Sequence, residues 1–291
     1  MVVSLLEIRL ANKEDIANQK KLWKKSFGDE DKYIDFYYRH RYQAANTMLL
    51  FKDNHLASML TMFPLYLATP DNKKFKAAMF YGIATAPEYQ GYGFATKLIN
   101  YCNDFLAKQN TYFTLLVPAS KNLFGFYYKL GYRASFYLRE SVVTADFVNA
   151  LPAQSAYKCS INPATPEEYN SRREKLLAGK LHVAYGEEDI LYQKRLAQAS
   201  GADIYTVDGA DVLGCAVVER ANPRKVVIKE LLLPEQYLPA AVKKIMSFIP
   251  SVEYVLRTPY FCNQPGANTV KPFGMLRCNN KNTAASLEDF G

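Results

Sequence analysis

The stretch EYQGYGFATKLINY, residues 88–101, joins a glycine-containing turn to an amphipathic segment. It follows the apolar run KKFKAAMFYGIAT (73–85), which predicts a strand, and its second half predicts a helix. The whole chain has only 14 glycines in 291 residues, and two of them, Gly91 and Gly93, lie here. Two explanations are open. Glycine gives the turn its backbone conformation, or the small residues let a phosphate approach N–H groups at a helix N-terminus.

The segments on either side of this turn predict strands that alternate with helices. Upstream lie a strand, two helices and two strands around a turn: LEIRLA, KEDIANQKKLWKKSF, EDKYIDFYYRHRY and NTMLLFKDNHLASMLTMFPLYL. Downstream lie the helix FATKLINYCNDFLAKQ, a strand, a helix and a strand: YFTLLVPA, SKNLFGFYYKLGY and RASFYLRESVVT. This order predicts a layered α/β domain over residues 1–150.

Residues 151–291 predict a second domain with a similar order of elements, which indicates a divergent internal duplication. The boundary follows the proline-containing stretch NALPAQSAYK. Thr165, followed by Pro166 and two glutamates, predicts a capped helix start. Pro239 predicts that the last helix begins near residue 238.

Composition limits the classes of function without deciding between them. The net charge of +8 suits nucleic acid, a membrane surface or a nucleotide cofactor, but the basic residues are scattered along the chain. No apolar run reaches the roughly 20 residues needed to cross a bilayer. The five cysteines form no CxxC pair, which predicts free thiols and a cytoplasmic location. With three scattered histidines, we expect no metal site.

The segment IATAPEYQGYGFATKLI resembles motif A of the GNAT superfamily of acyl-CoA N-acyltransferases. That motif reads Gln/Arg-x-x-Gly-x-Gly/Ala, and Gln90, Gly93 and Ala95 fill it. Pro87 stands three residues before Gln90, as is common in the family. The later segment FYYKLGY (126–132) resembles motif B, Tyr-x-Lys-x-Gly-Phe/Tyr. Its positions are filled by Tyr127, Lys129, Gly131 and Tyr132.

The resemblance implies a GNAT-like fold in each half, a mixed and mostly antiparallel sheet flanked by helices, with acetyl-CoA as co-substrate. The strand before the turn would pair its backbone with the pantetheine arm through Ile83, Ala84 and Thr85. The turn and the helix start would hold the pyrophosphate, chiefly through backbone amides, at Gln90, Gly91, Tyr92, Gly93, Phe94, Ala95 and Thr96. Ser120 and Asn122 stand where family members often contact the cofactor.

The resemblance also implies a general acid. Tyr127 would protonate the departing CoA thiolate, since a thiol with a reference pKa of about 8.5 leaves more easily when it is protonated. A phenol is a neutral O–H donor at pH 7. Tyr127 is also a candidate core aromatic, with Tyr128 and Tyr132 as alternative tyrosines of the same segment.

The general base is not assigned. Many family members carry a glutamate on the strand before motif A, but KFKAAMFYGIAT has none, and we expect Glu88 to face solvent. The paired halves resemble the enhanced-intracellular-survival type of acetyltransferase, in which the terminal carboxylate is the proposed base. This chain ends at Gly291 and lacks the length for that type's third domain, so the carboxylate of Gly291 is a hypothesis with a disordered tail as the alternative.

The second half has a proline and no glycine cradle after VVIKELLL, so we expect residues 151–291 to complete an acceptor cleft without binding CoA. The predicted function is acetyl transfer from acetyl-CoA directly to a primary amine of a small molecule or peptide. The alternatives are a non-catalytic acyl-CoA sensor, a basic RNA-binding module, or an aminoacyl or peptidyl transferase of the tandem GNAT-like type. The stretch GDEDKYIDFYY would line a pocket for a cationic amine or form a solvated helix face. The oligomeric state stays open.

Overall fold

The computed structural model describes residues 5–150, 158–264 and 267–279. The chain divides into two compact units. The first takes in the ranges Met1–Ala68, Lys73–Ser135 and Gly274–Gly291, and the second takes in Thr69–Asn72 and Phe136–Phe273. The boundary after Ser135 differs from the predicted division after residue 150, because the strand that continues from Phe136 pairs inside the second unit.

The first unit begins with alternating strands and helices, as the periodicity predicts. Its strands are β1 (Leu6–Leu10), β2 (Thr47–Lys52), β3 (His55–Ala68), β4 (Lys74–Thr85) and β5 (Phe113–Leu116). Its helices are α1 (Ile16–Phe27), α2 (Asp31–His40), α3 (Phe94–Lys108) and α4 (Lys121–Lys129). Short 3-10 turns occupy Ala44–Asn46 and Pro87–Tyr89. The next strand, β6 (Arg133–Thr144), starts here and continues in the second unit.

The sheet of the first unit is mixed and mostly antiparallel, which confirms the predicted fold class. Strands β1 to β4 pair antiparallel in sequence order, and β4 then pairs parallel to β5. Alternate residues of β3 face opposite sides of the sheet. Leu60 and Met62 pack in the core with Leu98 of α3, whereas Phe63 meets the ring of Tyr37 on α2.

A β-bulge interrupts β4 just before its end. The register with β3 shifts between Met59 and Thr61, and Gly82 has a φ of 59°. A Cβ on Gly82 would lie 3.2 Å from the indole ring of Trp23, which packs over this backbone. Glycine is therefore required both for its left-handed conformation and for the close approach of the ring.

We expect Gly82→Ala to lower the free energy of unfolding by about 2 kcal/mol, because a left-handed alanine is strained and its methyl meets Trp23. Urea denaturation measures the loss. Gly28→Ala is the control: Gly28 has a φ of 71°, but an alanine methyl there would meet no atom within 4 Å, so only the conformational part is lost. Equal losses for the two variants would contradict the packing argument.

The second unit contains the rest of the described elements. Its helices are α5 (Ala145–Ala150), α6 (Pro166–Leu177), α7 (Glu187–Ala199) and α8 (Leu238–Phe248). Its strands are β7 (Ser160–Pro163), β8 (His182–Ala184), β9 (Ile204–Asp208), β10 (Leu213–Asn222), β11 (Lys225–Leu232) and β12 (Glu253–Pro259). The last strand, β13 (Asn268–Cys278), runs from this unit into the first.

Two local predictions for the second unit are confirmed. Thr165 caps α6 through a reciprocal capping box: its hydroxyl accepts the Glu168 N–H at 3.1 Å, and Glu168 accepts the Thr165 N–H at 2.8 Å. Helix α8 begins at Leu238, directly after a 3-10 turn, with Pro239 in its first turn. The signals that decided both are local and do not depend on packing.

The predicted recurrence of element order is also present in the second unit. Strands β9, β10 and β11 pair antiparallel, and β11 pairs parallel to β12. The register of β10 with β11 shifts between Val217 and Val218. In the first unit, Trp23 covers the bulge. In the second unit, the buried Arg173 of α6 instead pairs with Glu230 of β11 at 2.9 Å.

Candidate active site

The glycine turn follows directly from the end of β4. The chain passes through the 3-10 turn Pro87–Tyr89 and then Gly91 and Gly93, whose φ angles are 83° and 77°. A Cβ at either glycine would meet no atom of the protein within 4 Å. The backbone conformation therefore demands glycine, while the protein's own packing leaves the space beside both residues open.

The N–H groups of the turn and of the first turn of α3 are not used by the part of the chain that the structure describes. Within the described part of the chain, no backbone or side-chain acceptor is within hydrogen-bonding geometry of the amides from Gly91 to Thr96. The first turn of α3 also contains no acidic residue. Free amides together with the positive end of a helix dipole form an environment that binds anions.

Lys52, at the end of β2, adds a positive charge beside this turn. Its Nζ lies 5.5 Å from the ring centroid of Tyr92 and 5.7 Å from that of Tyr89. Tyr92 is 68% exposed, so the ammonium group sits at the surface rather than in the core. Sequence reasoning missed Lys52, because nothing in the order of residues connects the end of β2 with a turn in the β4–α3 connection.

The end of β4 has an open edge on the side of β5. Parallel pairing with β5 covers Ala77–Met79 and goes no further among the described residues. The predicted pantetheine-binding residues follow the bulge, in the part of β4 that pairs with β3 but not with β5: Ile83, Ala84 and Thr85. The bulge thus separates β4 from β5 and leaves strand backbone available to a chain with amide groups.

Gln90 is positioned by this strand end. Its Nε2 donates to the carbonyl oxygen of Thr85 at 3.3 Å. The side chain therefore closes the turn onto β4, and any contact with an anion would come from the backbone of the residues that follow.

The motif B residues lie on α4. Ser120 occupies the N-cap position, but its hydroxyl makes no capping hydrogen bond, and Asn122 is exposed in the first turn. Tyr127 faces the core of the first unit, in the same cluster as Phe94 at the start of α3. The fold therefore brings residues from motifs A and B to one core.

The three tyrosines of motif B have different surroundings. Tyr132 is fully buried, and its hydroxyl donates to Asn103 Oδ1 at 3.2 Å. Tyr128 is 57% exposed, with the Arg133 guanidinium 4.0 Å above its ring. Tyr127 is 7% exposed and makes ring contacts with Phe126 and Tyr132, while no hydrogen bond of its hydroxyl is found among the described residues. Burial raises the pKa of Tyr127 to about 12, because the phenolate would lose solvation.

No carboxylate lies on β4, whose sequence is KFKAAMFYGIAT. Glu88 is exposed and lies 3.8 Å from Lys25, which agrees with the prediction that it faces solvent. The hypothesis about the carboxylate of Gly291 falls outside the described residues. Across the described ranges, no group of three or more His, Cys, Asp or Glu side chains is arranged to hold a metal ion.

An open cavity of about 810 Å³ lies on the α1 side of the first unit, and Ala86, Glu88 and Tyr89, just before the glycine turn, line part of it. Asp31 and Asp35 of GDEDKYIDFYY line it, but their carboxylates pair with Lys24 at 2.9 Å and Lys20 at 2.6 Å. Lys21 and Lys25 also line it. Because the acidic groups are already neutralised by lysines, this cavity is poorly suited to a cationic amine.

In the second unit, β11 and β12 also separate towards their ends, but residues of the same unit bridge the opening. Parallel pairing of β11 with β12 ends at Ile228 and Leu256. Gln264 Nε2 donates to the Leu256 carbonyl at 3.3 Å and to the Thr258 hydroxyl at 2.9 Å. The Asn263 N–H donates to Glu235 of the 3-10 turn at 3.3 Å. In the second unit, hydrogen bonds from Gln264 and Asn263 therefore fill the strand opening that stays empty in the first unit.

Comparisons with known proteins identify a domain in the first half of the chain. The family model for the acetyltransferase (GNAT) domain matches residues 7–135. No curated protein matches the chain. None of the helices in the described ranges is long and apolar enough to cross a membrane.

Solved structures share the fold at low identity. A probable N-acyltransferase of unknown function from Enterococcus faecalis is 17% identical, with a TM-score of 0.73 over 94% of this chain and 73% of that one. A GCN5-related N-acetyltransferase from Anabaena variabilis is 17% identical, with a TM-score of 0.72 over 95% and 73%. Eis1 from Mycobacterium abscessus is 14% identical, with a TM-score of 0.68 over 94% and 74%. Residues 7–135 therefore match the acetyltransferase (GNAT) domain, and these solved structures share the fold over most of the chain.

Proposed function

We propose that the protein transfers an acetyl group from acetyl-CoA directly to a primary amine of a small molecule or peptide. The observation that carries this proposal is the glycine turn, where the amides from Gly91 to Thr96 have no acceptor among the described residues. Lys52 adds a cation beside them. These donors fit the diphosphate of a CoA ester.

The remaining parts of the cofactor fit the neighbouring elements. The unpaired edge of β4 at Ile83, Ala84 and Thr85 suits the amides of a pantetheine arm. Ser120 and Asn122 present unused polar side chains at the start of α4. When bound, acetyl-CoA supplies an activated acyl carbon and a thiolate leaving group, and the residues of the chain orient it and manage protons.

Tyr127 is the proton donor in this proposal. Its hydroxyl proton would pass to the sulfur as the C–S bond breaks, and the amine's proton would leave through water, since β4 offers no carboxylate. A phenol with a pKa near 12 remains protonated at physiological pH, so it is present in the required form. Burial of the group also keeps bulk water from replacing it.

We place a single cofactor site on the chain, in the first unit. The second unit, taken as a degenerate GNAT-like domain over residues 151–291, has Pro239 where a glycine turn would be needed, and its strand opening is occupied by Gln264. It would contribute to the acceptor cleft.

The five cysteines are free, which supports a reducing cytoplasmic compartment.

Calorimetric titration with acetyl-CoA tests the proposal. We expect one molecule bound per chain, followed by release of free CoA thiol when a panel of primary amines is added. The panel would include aliphatic polyamines, amino sugars and peptides with free N-termini. Absence of binding would contradict the cofactor assignment, and binding without turnover on any amine would favour an acyl-CoA sensor. A stoichiometry of two would contradict the single site.

A further inference from the structure

We propose that Ser58 is a positioning residue for the acyl transfer: it fixes Ala84 and Thr85 so that the edge of β4 meets the pantetheine arm. This inference rests on the proposed function. Ser58 lies on β3 and is fully buried, and nothing in motif A or motif B includes it. It acts on the cofactor only through β4, so it would touch neither the thioester nor the amine.

Both hydrogen bonds of the Ser58 side chain go to the end of β4. Its Oγ donates to the carbonyl oxygen of Ala84 at 2.7 Å and lies 3.0 Å from the hydroxyl of Thr85. Serine has one hydroxyl proton, and the Ala84 bond uses it. The Thr85 hydroxyl is therefore the donor in the second bond, which fixes its side-chain rotamer toward β3.

The register shows where the Thr85 backbone points. Ala86 N–H donates to the Ala57 carbonyl at 2.9 Å, and Thr85 is the cross-strand partner of Ser58. Hydrogen-bonded and non-bonded pairs alternate in an antiparallel ladder. The N–H and C=O of Thr85 therefore point away from β3, toward the edge that β5 leaves unpaired.

Gln90 holds Thr85 from the opposite side. Its Nε2 donates to the Thr85 carbonyl at 3.3 Å, which leaves the Thr85 N–H as the donor directed at the open edge. Ser58, Thr85 and Gln90 thus form a clamp, which we call the β4 clamp. It connects the strand edge for the pantetheine arm to the turn for the diphosphate, and so sets the distance between the two.

The bulge at Gly82 explains why such a clamp is needed. A bulge leaves one residue unpaired and disturbs the ladder locally. Only Ile83 and Ala84 separate Gly82 from Thr85, and no β5 partner supports them among the described residues. Because binding of a long ligand depends on the spacing of its contacts, loss of the clamp would weaken a ligand that spans both parts.

Ser58→Ala tests the inference, with Thr61→Val as the matched control. Thr61 also carries a buried hydroxyl on β3, but this hydroxyl is hydrogen-bonded to those of Tyr37 and Thr47 and not to β4. We expect Ser58→Ala to raise the Kd for acetyl-CoA and the KM for acetyl-CoA about tenfold, with kcat within twofold. Binding of ADP, which would reach only the turn, stays unchanged. Thr61→Val changes none of these values.

Thr85→Val provides a second variant in case Ser58→Ala folds poorly. It removes the other hydroxyl of the pair while keeping the shape of the side chain, and we expect the same tenfold loss. The double variant should lose no more than either single variant, because both act through one contact. Faster amide exchange at Ala84–Ala86 in Ser58→Ala, but not in Thr61→Val, gives a readout without ligand.

The outcomes separate this inference from the proposed function. If the wild type binds acetyl-CoA and Ser58→Ala binds equally well, the inference is overturned and the proposed function stands. If the losses of the two single variants add in the double variant, the clamp is also overturned. If the wild type binds ADP but no acetyl-CoA, both fall, since the strand edge then receives no arm.

Discussion

Tyr127→Phe is expected to lower kcat for acetyl transfer about 100-fold while leaving the KM for acetyl-CoA within twofold. The variant removes only the hydroxyl, and proton donation by a positioned side chain contributes about 10²- to 10⁴-fold. Phenylalanine keeps the ring that packs in the core with Phe94, so binding of the cofactor should survive. Steady-state kinetics with saturating amine measures both constants. Tyr128→Phe is the control, since Tyr128 is 57% exposed and should change neither.

The pH dependence follows from the raised pKa of Tyr127. With a pKa of about 12, the hydroxyl keeps its proton up to pH 10, so we expect no alkaline loss of kcat below that pH. The rate should instead rise with pH as the amine substrate loses its proton.

Because the folded pKa lies above the unfolded value of 10, the contribution of Tyr127 to stability is fully present below pH 10 and lost as pH rises toward 12. A Tyr127→Phe enzyme with wild-type kcat would rule out its role as the acid.

Gly93→Glu is expected to abolish acetyl-CoA binding, with a Kd at least 100-fold higher than that of the wild type. Gly93 is the N-cap residue of α3, and a Cβ there would meet no atom of the protein within 4 Å, so a side chain would enter the open space at the start of the helix. The added carboxylate would accept some of the free N–H groups of this turn itself and repel a diphosphate. Calorimetry on the folded variant measures the loss.

The control for this variant is Gly28→Glu. Gly28 ends α1 with φ 71° and ψ 9°, and Gly93 has φ 77° and ψ 10°. A Cβ meets no atom within 4 Å at either position. The two variants therefore carry the same backbone strain and the same added charge in the same unit. If Gly28→Glu lost binding equally, strain and net charge would explain the effect, and the turn would have no special part in it.

Most elements were predictable because their signals are local. Thr165 and Pro239 fixed helix starts through capping and proline chemistry, and the turn at Gly91 and Gly93 marked the start of α3. Three described elements were missed. β8 and α5 are too short for periodicity to detect, and β13 contains Pro272 and Gly274, which interrupt a strand pattern.

The site was predictable only as far as its motifs reach. Gln90 was expected at the cofactor, but its side chain binds the strand end at Thr85. Ser58 and Lys52 come from strands that sequence order separates from the turn, so only the sheet register brings them there. The contact of Trp23 with Gly82 is likewise tertiary. Motifs record the residues that meet a ligand, whereas supporting contacts depend on packing across the sheet.

The path of β13 also affects how the protein is made. Its residues Met275–Cys278 pair with β5 of the first unit, and Asn279 donates to the carbonyl of Thr111. A ribosome releases residues 7–135 long before these residues exist. Until then the nascent domain exposes the backbone edge of β5, which is a template for wrong pairing. The domain at residues 7–135 can therefore complete its sheet only after translation has passed residue 278, so its folding waits for a segment synthesised more than 130 residues later.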